Sequence, residues 1–199
     1  MKRIVCTLVI PLGMLIICLE AQASPLQISV SPVFQVIGSG GTAEVALGIV
    51  GLGDHHAPSL STFDLEVFFD STILAFNGFT FGDPVLGDQL DLLQLGSITT
   101  TIPGEGSVNV FELSLDPAEI LNDDQAPAFE LGVLSFGGVT AGTSPVTVTI
   151  NALGDALGNP LSASTEGGSV TITAIPEPGT DYLLMGGLIG LWLLRRYSA

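Results

Sequence analysis

Ten residues, STFDLEVFFD from Ser61 to Asp70, place Phe63, Leu65, Val67 and Phe69 at one parity and Asp64, Glu66, Phe68 and Asp70 at the other. A strand turns successive side chains to opposite faces, whereas a helix would scatter these eight around its circumference. The segment therefore predicts a half-buried strand with one apolar and one largely acidic face. The same alternation recurs. It groups Ala43, Val45, Leu47 and Ile49 in TAEVALGIV, and Val146, Val148 and Ile150 in PVTVTIN. It also groups Val170, Ile172 and Ala174 in GSVTITA, and Phe129, Leu131 and Val133 in FELGVLSFG. In SVNVFELSL, Val108 and Val110 share one parity and Phe111, Leu113 and Leu115 the other, which predicts a β-bulge near Val110. Glycine pairs at 40–41, 137–138 and 167–168 read as turns, and Pro32 and Pro145 as strand beginnings. One helical turn is expected after Asp116, with Asp116 as N-cap, Pro117 at N1 and Glu119 at N3, ended by Asn122-Asp123-Asp124. Many short strands between glycine-rich turns, with no internal repeat and no long linker, predict an all-β sandwich of two sheets.

The two ends read differently from this body. Lys2 and Arg3 precede an apolar run from Ile4 to Leu19, and Ala21-Gln22-Ala23 offers small residues for cleavage between Ala23 and Ser24. That is the order of a secretory signal peptide (residues 1–23), with an uncleaved anchor as the alternative. Residues 175–199 hold Pro176-Glu177-Pro178, an apolar run from Tyr182 to Leu194, and Arg195-Arg196. About 20 apolar residues span a bilayer as a helix, and this run is shorter. Arginines after it would hold that end on the cytoplasmic side and leave the body outside. Gly186, Gly187 and Gly190 make a small-residue stripe suited to close helix approach. The tail resembles the PEP-CTERM sorting signal. The resemblance implies an exosortase partner, a membrane-held intermediate and a final place at the surface or in the exopolysaccharide matrix of a Gram-negative bacterium. A permanent tail anchor is the alternative.

Between these ends, residues 24–174 contain seventeen acidic residues, no lysine, no arginine and no cysteine. Cys6 and Cys18 both lie in the leader, so the body must hold together without disulfides. So acidic a surface excludes nucleic acid as a partner. FDLEVFFDSTILAF (Phe63 to Phe76), FELGVLSFGGVTAGTSPVTVTI (Phe129 to Ile150) and GSVTIT (Gly168 to Thr173) resemble strand, hairpin and closing-strand segments of cohesin modules. The resemblance implies a jelly-roll β-sandwich of about nine strands, related to carbohydrate-binding modules. It also implies a non-catalytic role with a dockerin-like protein as partner, in assemblies that degrade polysaccharide. The body departs from cohesins in its lack of a repeated array and of any lysine or arginine.

Little in the body points to catalysis. It has no cysteine or lysine nucleophile, and its only histidines, His55 and His56, are adjacent in a loop-like stretch. Carboxylate pairs such as Asp64/Glu66, Asp88/Asp91 and Asp123/Asp124 are too numerous to single one out as a glycosidase pair. Asn151, Asp155 and Asn159 recur every four residues around a glycine-containing loop, which makes them candidate ligands for a structural calcium ion. Ordinary turn chemistry is the competing reading. The candidate binding surface is the acidic parity of the first strand, Asp64, Glu66 and Phe68. Trp192, Tyr182 and Tyr197 all lie in the tail, so the body has no Trp or Tyr platform for sugar rings. Direct contact with polysaccharide would have to run through Asp and Asn groups or calcium.

Overall fold

The structure, a computed structural model, describes residues 25–174. The cleavage position Ala23/Ser24, the motif Pro176-Glu177-Pro178 and the pair Arg195-Arg196 lie outside the described residues.

Among the described residues eleven strands form, in chain order: β1 (Gln27–Ser31), β2 (Phe34–Gly38), β3 (Thr42–Val50), β4 (Leu60–Phe68), β5 (Leu74–Phe81), β6 (Ile98–Pro103), β7 (Ser107–Leu113), β8 (Ala128–Gly138), β9 (Gly142–Asp155), β10 (Ser164–Glu166) and β11 (Gly168–Thr173). One helix, α1 (Ala118–Asp124), lies between β7 and β8. Five strands make one sheet in the order β10-β1-β3-β8-β5, and six make the other in the order β2-β11-β9-β4-β7-β6. The two stack as the expected sandwich. The count exceeds nine in part because two short edge strands, β2 and β10, pair in parallel with β11 and β1.

The alternating residues behave as the strand period demands. Phe63, Leu65, Val67, Ala43, Val45, Leu47, Ile49, Val146, Val148, Val170 and Ile172 are buried between the sheets. Burial of each large aliphatic or aromatic side chain is worth about 1.5–3 kcal/mol, so this shared interior replaces the missing crosslinks. Phe136 packs against Phe69 at 5.0 Å between ring centroids and against Phe76 at 6.1 Å.

Several local expectations fail for tertiary reasons. β7 carries no bulge: it pairs with β4 in unbroken register from Thr62↔Leu113 to Phe68↔Ser107. Val108, Val110 and Glu112 therefore point inward, and Phe111 turns outward. The irregularities sit elsewhere, at Leu47/Gly48 on β3, Leu60/Thr62 and Asp64/Leu65 on β4, and Phe76/Gly78 on β5. The first re-phases β8, so that Phe129 and Leu131 face inward, then Leu134 and Phe136, while Val133 leaves the interior row. Gly137-Gly138 is paired strand, not turn, with Gly137 opposite both Thr42 and Ala75. Pro145 lies inside β9, opposite Ser169. Ser169 gives its N–H to Val33 on the far side, so the proline's missing donor is not needed by β11.

Helix α1 starts later than the capping pattern predicts. Its N-cap is Pro117, with no side-chain cap. Asp116 instead accepts from the Leu93 N–H at 3.3 Å. Asn122, Asp123 and Asp124 continue the helix rather than end it. Gln125 stops it and anchors it, giving its side-chain amide to the Leu60 and Gln89 carbonyls and accepting from the Leu60 N–H.

Candidate binding face

The outer face of the six-stranded sheet gathers the candidate surface residues. β4 lies between β9 and β7, so each of its outward side chains has a partner on both sides. Asp64 stands opposite Phe111 and Ala152, Glu66 opposite Asn109 and Thr149, and Phe68 opposite Ser107 and Thr147. On β6, Thr100 and Ile102 extend the same rows beyond Phe111 and Asn109.

The structure builds a centre on Asp64. Its Oδ1 accepts from Asn109 Nδ2 at 2.6 Å and from Asn151 Nδ2 at 3.0 Å. Asn109 reaches on to the Leu65 carbonyl at 3.3 Å, which fixes its amide plane. One carboxylate oxygen is thus held by two neutral amides, and no lysine or arginine exists within residues 24–174 to neutralise the charge. The result is an oriented anionic acceptor on a sheet face, with Phe68 exposed at 45 % and Phe111 beside the carboxylate. Such a centre can take a cationic or hydroxyl donor from a partner, with the rings offering apolar contact. Asn109 and Phe111 escape sequence reasoning because their place beside Asp64 depends on register across strands, and a bulge at Val110 would have turned Phe111 inward.

The three candidate calcium ligands do not converge. Asn151 joins Asp64, whereas Asp155 closes its own turn by accepting from the N–H groups of Leu157 and Asn159 and from Asn159 Nδ2. Those bonds, the Asn159 side chain foremost, hold the Asp155 carboxyl below its usual range. Among the described residues no three Asp, Glu, His or Cys side chains stand close enough to hold one metal ion.

His55 and His56 occupy the exposed loop between β3 and β4. His55, in a left-handed conformation at φ 57°, donates from Nδ1 to the Asp123 carbonyl at the end of α1. That hydrogen bond first, then the charge of Asp54, raises its pKa above the usual imidazole value. His56 instead bonds the carbonyl of its neighbour Ala57. His55 alone thus ties the loop to the helix.

Solved structures similar to this fold include cohesin modules. The sixth cohesin of scaffoldin B from Acetivibrio cellulolyticus, in complex with a Cel5 dockerin, superposes with a TM-score of 0.58 at 16 % identity, over 75 % of this chain and 100 % of that one. A cohesin in a type I cohesin–dockerin complex from Clostridium thermocellum gives 0.59 at 14 %, over 75 % and 100 %. A non-cellulosomal cohesin from the archaeon Archaeoglobus fulgidus gives 0.56 at 14 %, over 80 % and 98 %. No family model matches the chain, and no curated protein matches it. The body is a β-sandwich of the cohesin-like fold.

Proposed function

We propose that this chain is an exported, non-catalytic binding module whose β9–β4–β7 face docks a dockerin-like protein partner. The observation that carries the reading is the Asp64 carboxylate, held by Asn109 and Asn151 on an open face between Phe68 and Phe111. The fold supports it, since two of the solved structures above are cohesins bound to dockerins. An uncompensated acidic face fits a partner that brings basic side chains. Titration of purified dockerin modules against the chain tests this. Saturable binding that Asp64→Ala weakens at least tenfold, with an unchanged melt, is the expected result. Binding indifferent to both Asp64→Ala and Phe68→Ala would remove the face from the account.

A second reading is direct contact with matrix polysaccharide. It rests on a groove of about 410 Å³ beside Asn151, lined also by Ile150, Leu153, Pro160 and Leu161. Retardation in a polysaccharide affinity gel, lost on Asn151→Ala, would favour it over the protein partner. Export belongs to the proposal through the signal-like leader and the PEP-CTERM-like tail, which an exosortase would process. Mass spectrometry of the mature chain tests both ends. No helix among the described residues is long and apolar enough to cross a membrane. A structural calcium at Asn151, Asp155 and Asn159 would require these side chains to trade their present bonds for the ion. A melting temperature raised by millimolar calcium at constant ionic strength, and restored by chelator, is its signature.

A further inference from the structure

Glu112 is a carboxylate in the wrong place for one. The unbroken β7 register turns it inward with Val108 and Val110, and no part of it reaches solvent (0 % exposed). It is the only buried acidic residue among those described. Its Oε1 accepts from Ser97 Oγ at 2.5 Å, and its Oε2 is buried with no donor. In register on either side stand Phe63 of β4 and Thr99 of β6, neither of which titrates at physiological pH. The charged groups that face it, Asp88 and Asp91, both come from the segment 82–97 that covers this end of the sandwich, and both are acidic. No lysine or arginine exists within residues 24–174, and the two histidines sit in the β3–β4 loop with His55 held at α1. Asp88 is within hydrogen-bonding reach of Glu112, and two carboxyl groups attract each other only through a shared proton.

We propose that Glu112 keeps its proton at neutral pH and donates it to Asp88, making the pair a proton-operated latch that holds segment 82–97 on the sandwich. The geometry agrees with the titration expected of it: burial first, then Asp88 and Asp91 against the opposing Ser97 bond, pushes Glu112 up to about 8. Asp88 matters to the whole segment. Its Oδ1 accepts from the N–H of Leu90, whose side chain is in the core. Next to it, Gln89 bonds Gln125 and the Ala126 N–H at the end of α1. On its outer side the segment exposes Val85, Leu86, Leu93 and Leu95. When Glu112 loses its proton, two negative charges meet where one hydrogen bond stood, and the covering segment loosens first.

Hydrogen exchange of the full chain from pH 6 to 9.5, corrected for the intrinsic rate, tests the latch. Protection in residues 88–97 is expected to fall about tenfold per pH unit as pH rises toward about 8, and to level off above it, where Glu112 is ionised whether the segment is closed or open. Glu112→Gln keeps a donor toward Asp88 but cannot ionise, so its protection should stay flat. Asp88→Asn removes the like charge, and the levelling-off should move to lower pH. Should Glu112→Gln fail to fold, the pH at which Asp88→Asn levels off alone decides. Protection that falls equally in wild type and Glu112→Gln, or a levelling-off that ignores Asp88→Asn, overturns the proposal.

Discussion

Single residues set how this chain responds to pH. Glu112, with a folded pKa of about 8 against 4.5, retains a proton that the unfolded chain gives up. Stability therefore falls as pH rises between those values, by at most about 1.4 kcal/mol per unit. His55 acts in the same sense: its pKa is raised, so its contribution is complete below the ordinary 6.5 and fades as pH climbs through the folded value. A histidine-resolved NMR titration should place the His55 midpoint above 6.5. Asp70, Asp83 and Asp155 act oppositely, since their depressed pKa values lend stability above 3.8 that is lost as acid protonates them. Asp155→Ala frees the Leu157 and Asn159 N–H groups and should cost about 0.5–1.5 kcal/mol in urea melts at pH 6, and progressively less below pH 3.8.

At the scale of elements, two junctions bear most of the alignment. Gln125, nearly buried, holds the end of α1 to β4 and to the covering segment through three hydrogen bonds. Gln125→Leu would leave these backbone groups without partners and should cost about 3 kcal/mol, read as a shift in denaturation midpoint at constant slope. Gly132, at the re-phasing of β8, lies where a Cβ would meet the Thr80 carbonyl oxygen and the Phe79 ring, both at 2.4 Å. Backbone on one side and a packed ring on the other leave no room to yield, so Gly132→Ala should cost about 2–3 kcal/mol. Alternation named the faces of most strands but not the interruptions, because a bulge is a mismatch between two strands and neither sequence contains it alone. The pattern of SVNVFELSL shows this: its apparent change of phase is a glutamate placed inward, not a kink in the backbone.

The whole molecule is a one-signed charge distribution wrapped on a disulfide-free core. Seventeen acidic residues with no lysine or arginine between 24 and 174 repel one another in the folded state. Raising salt from 20 to 300 mM should therefore raise the melting temperature, by about 2–4 °C for each kcal/mol of repulsion relieved. Reducing agent should leave the melt unchanged. The same salt should weaken docking of a basic partner at the Asp64 face, mainly by slowing association. A docking rate indifferent to salt would show that the partner is not recognised by charge.

Strand existence, the buried parity of most strands and the acidic character of the body are local properties of the chain. They follow from the two-residue period of extended backbone and from composition, and so were legible without coordinates. The trio of Asp64, Asn109 and Asn151, separated by 45 and 87 positions from Asp64, is not local. Nor is the burial of Glu112 beneath segment 82–97, or the separation of Asn151 from Asp155 and Asn159. Each depends on inter-strand register and on which segment closes the end of the sandwich, and those are chosen by the packing of strands distant in sequence.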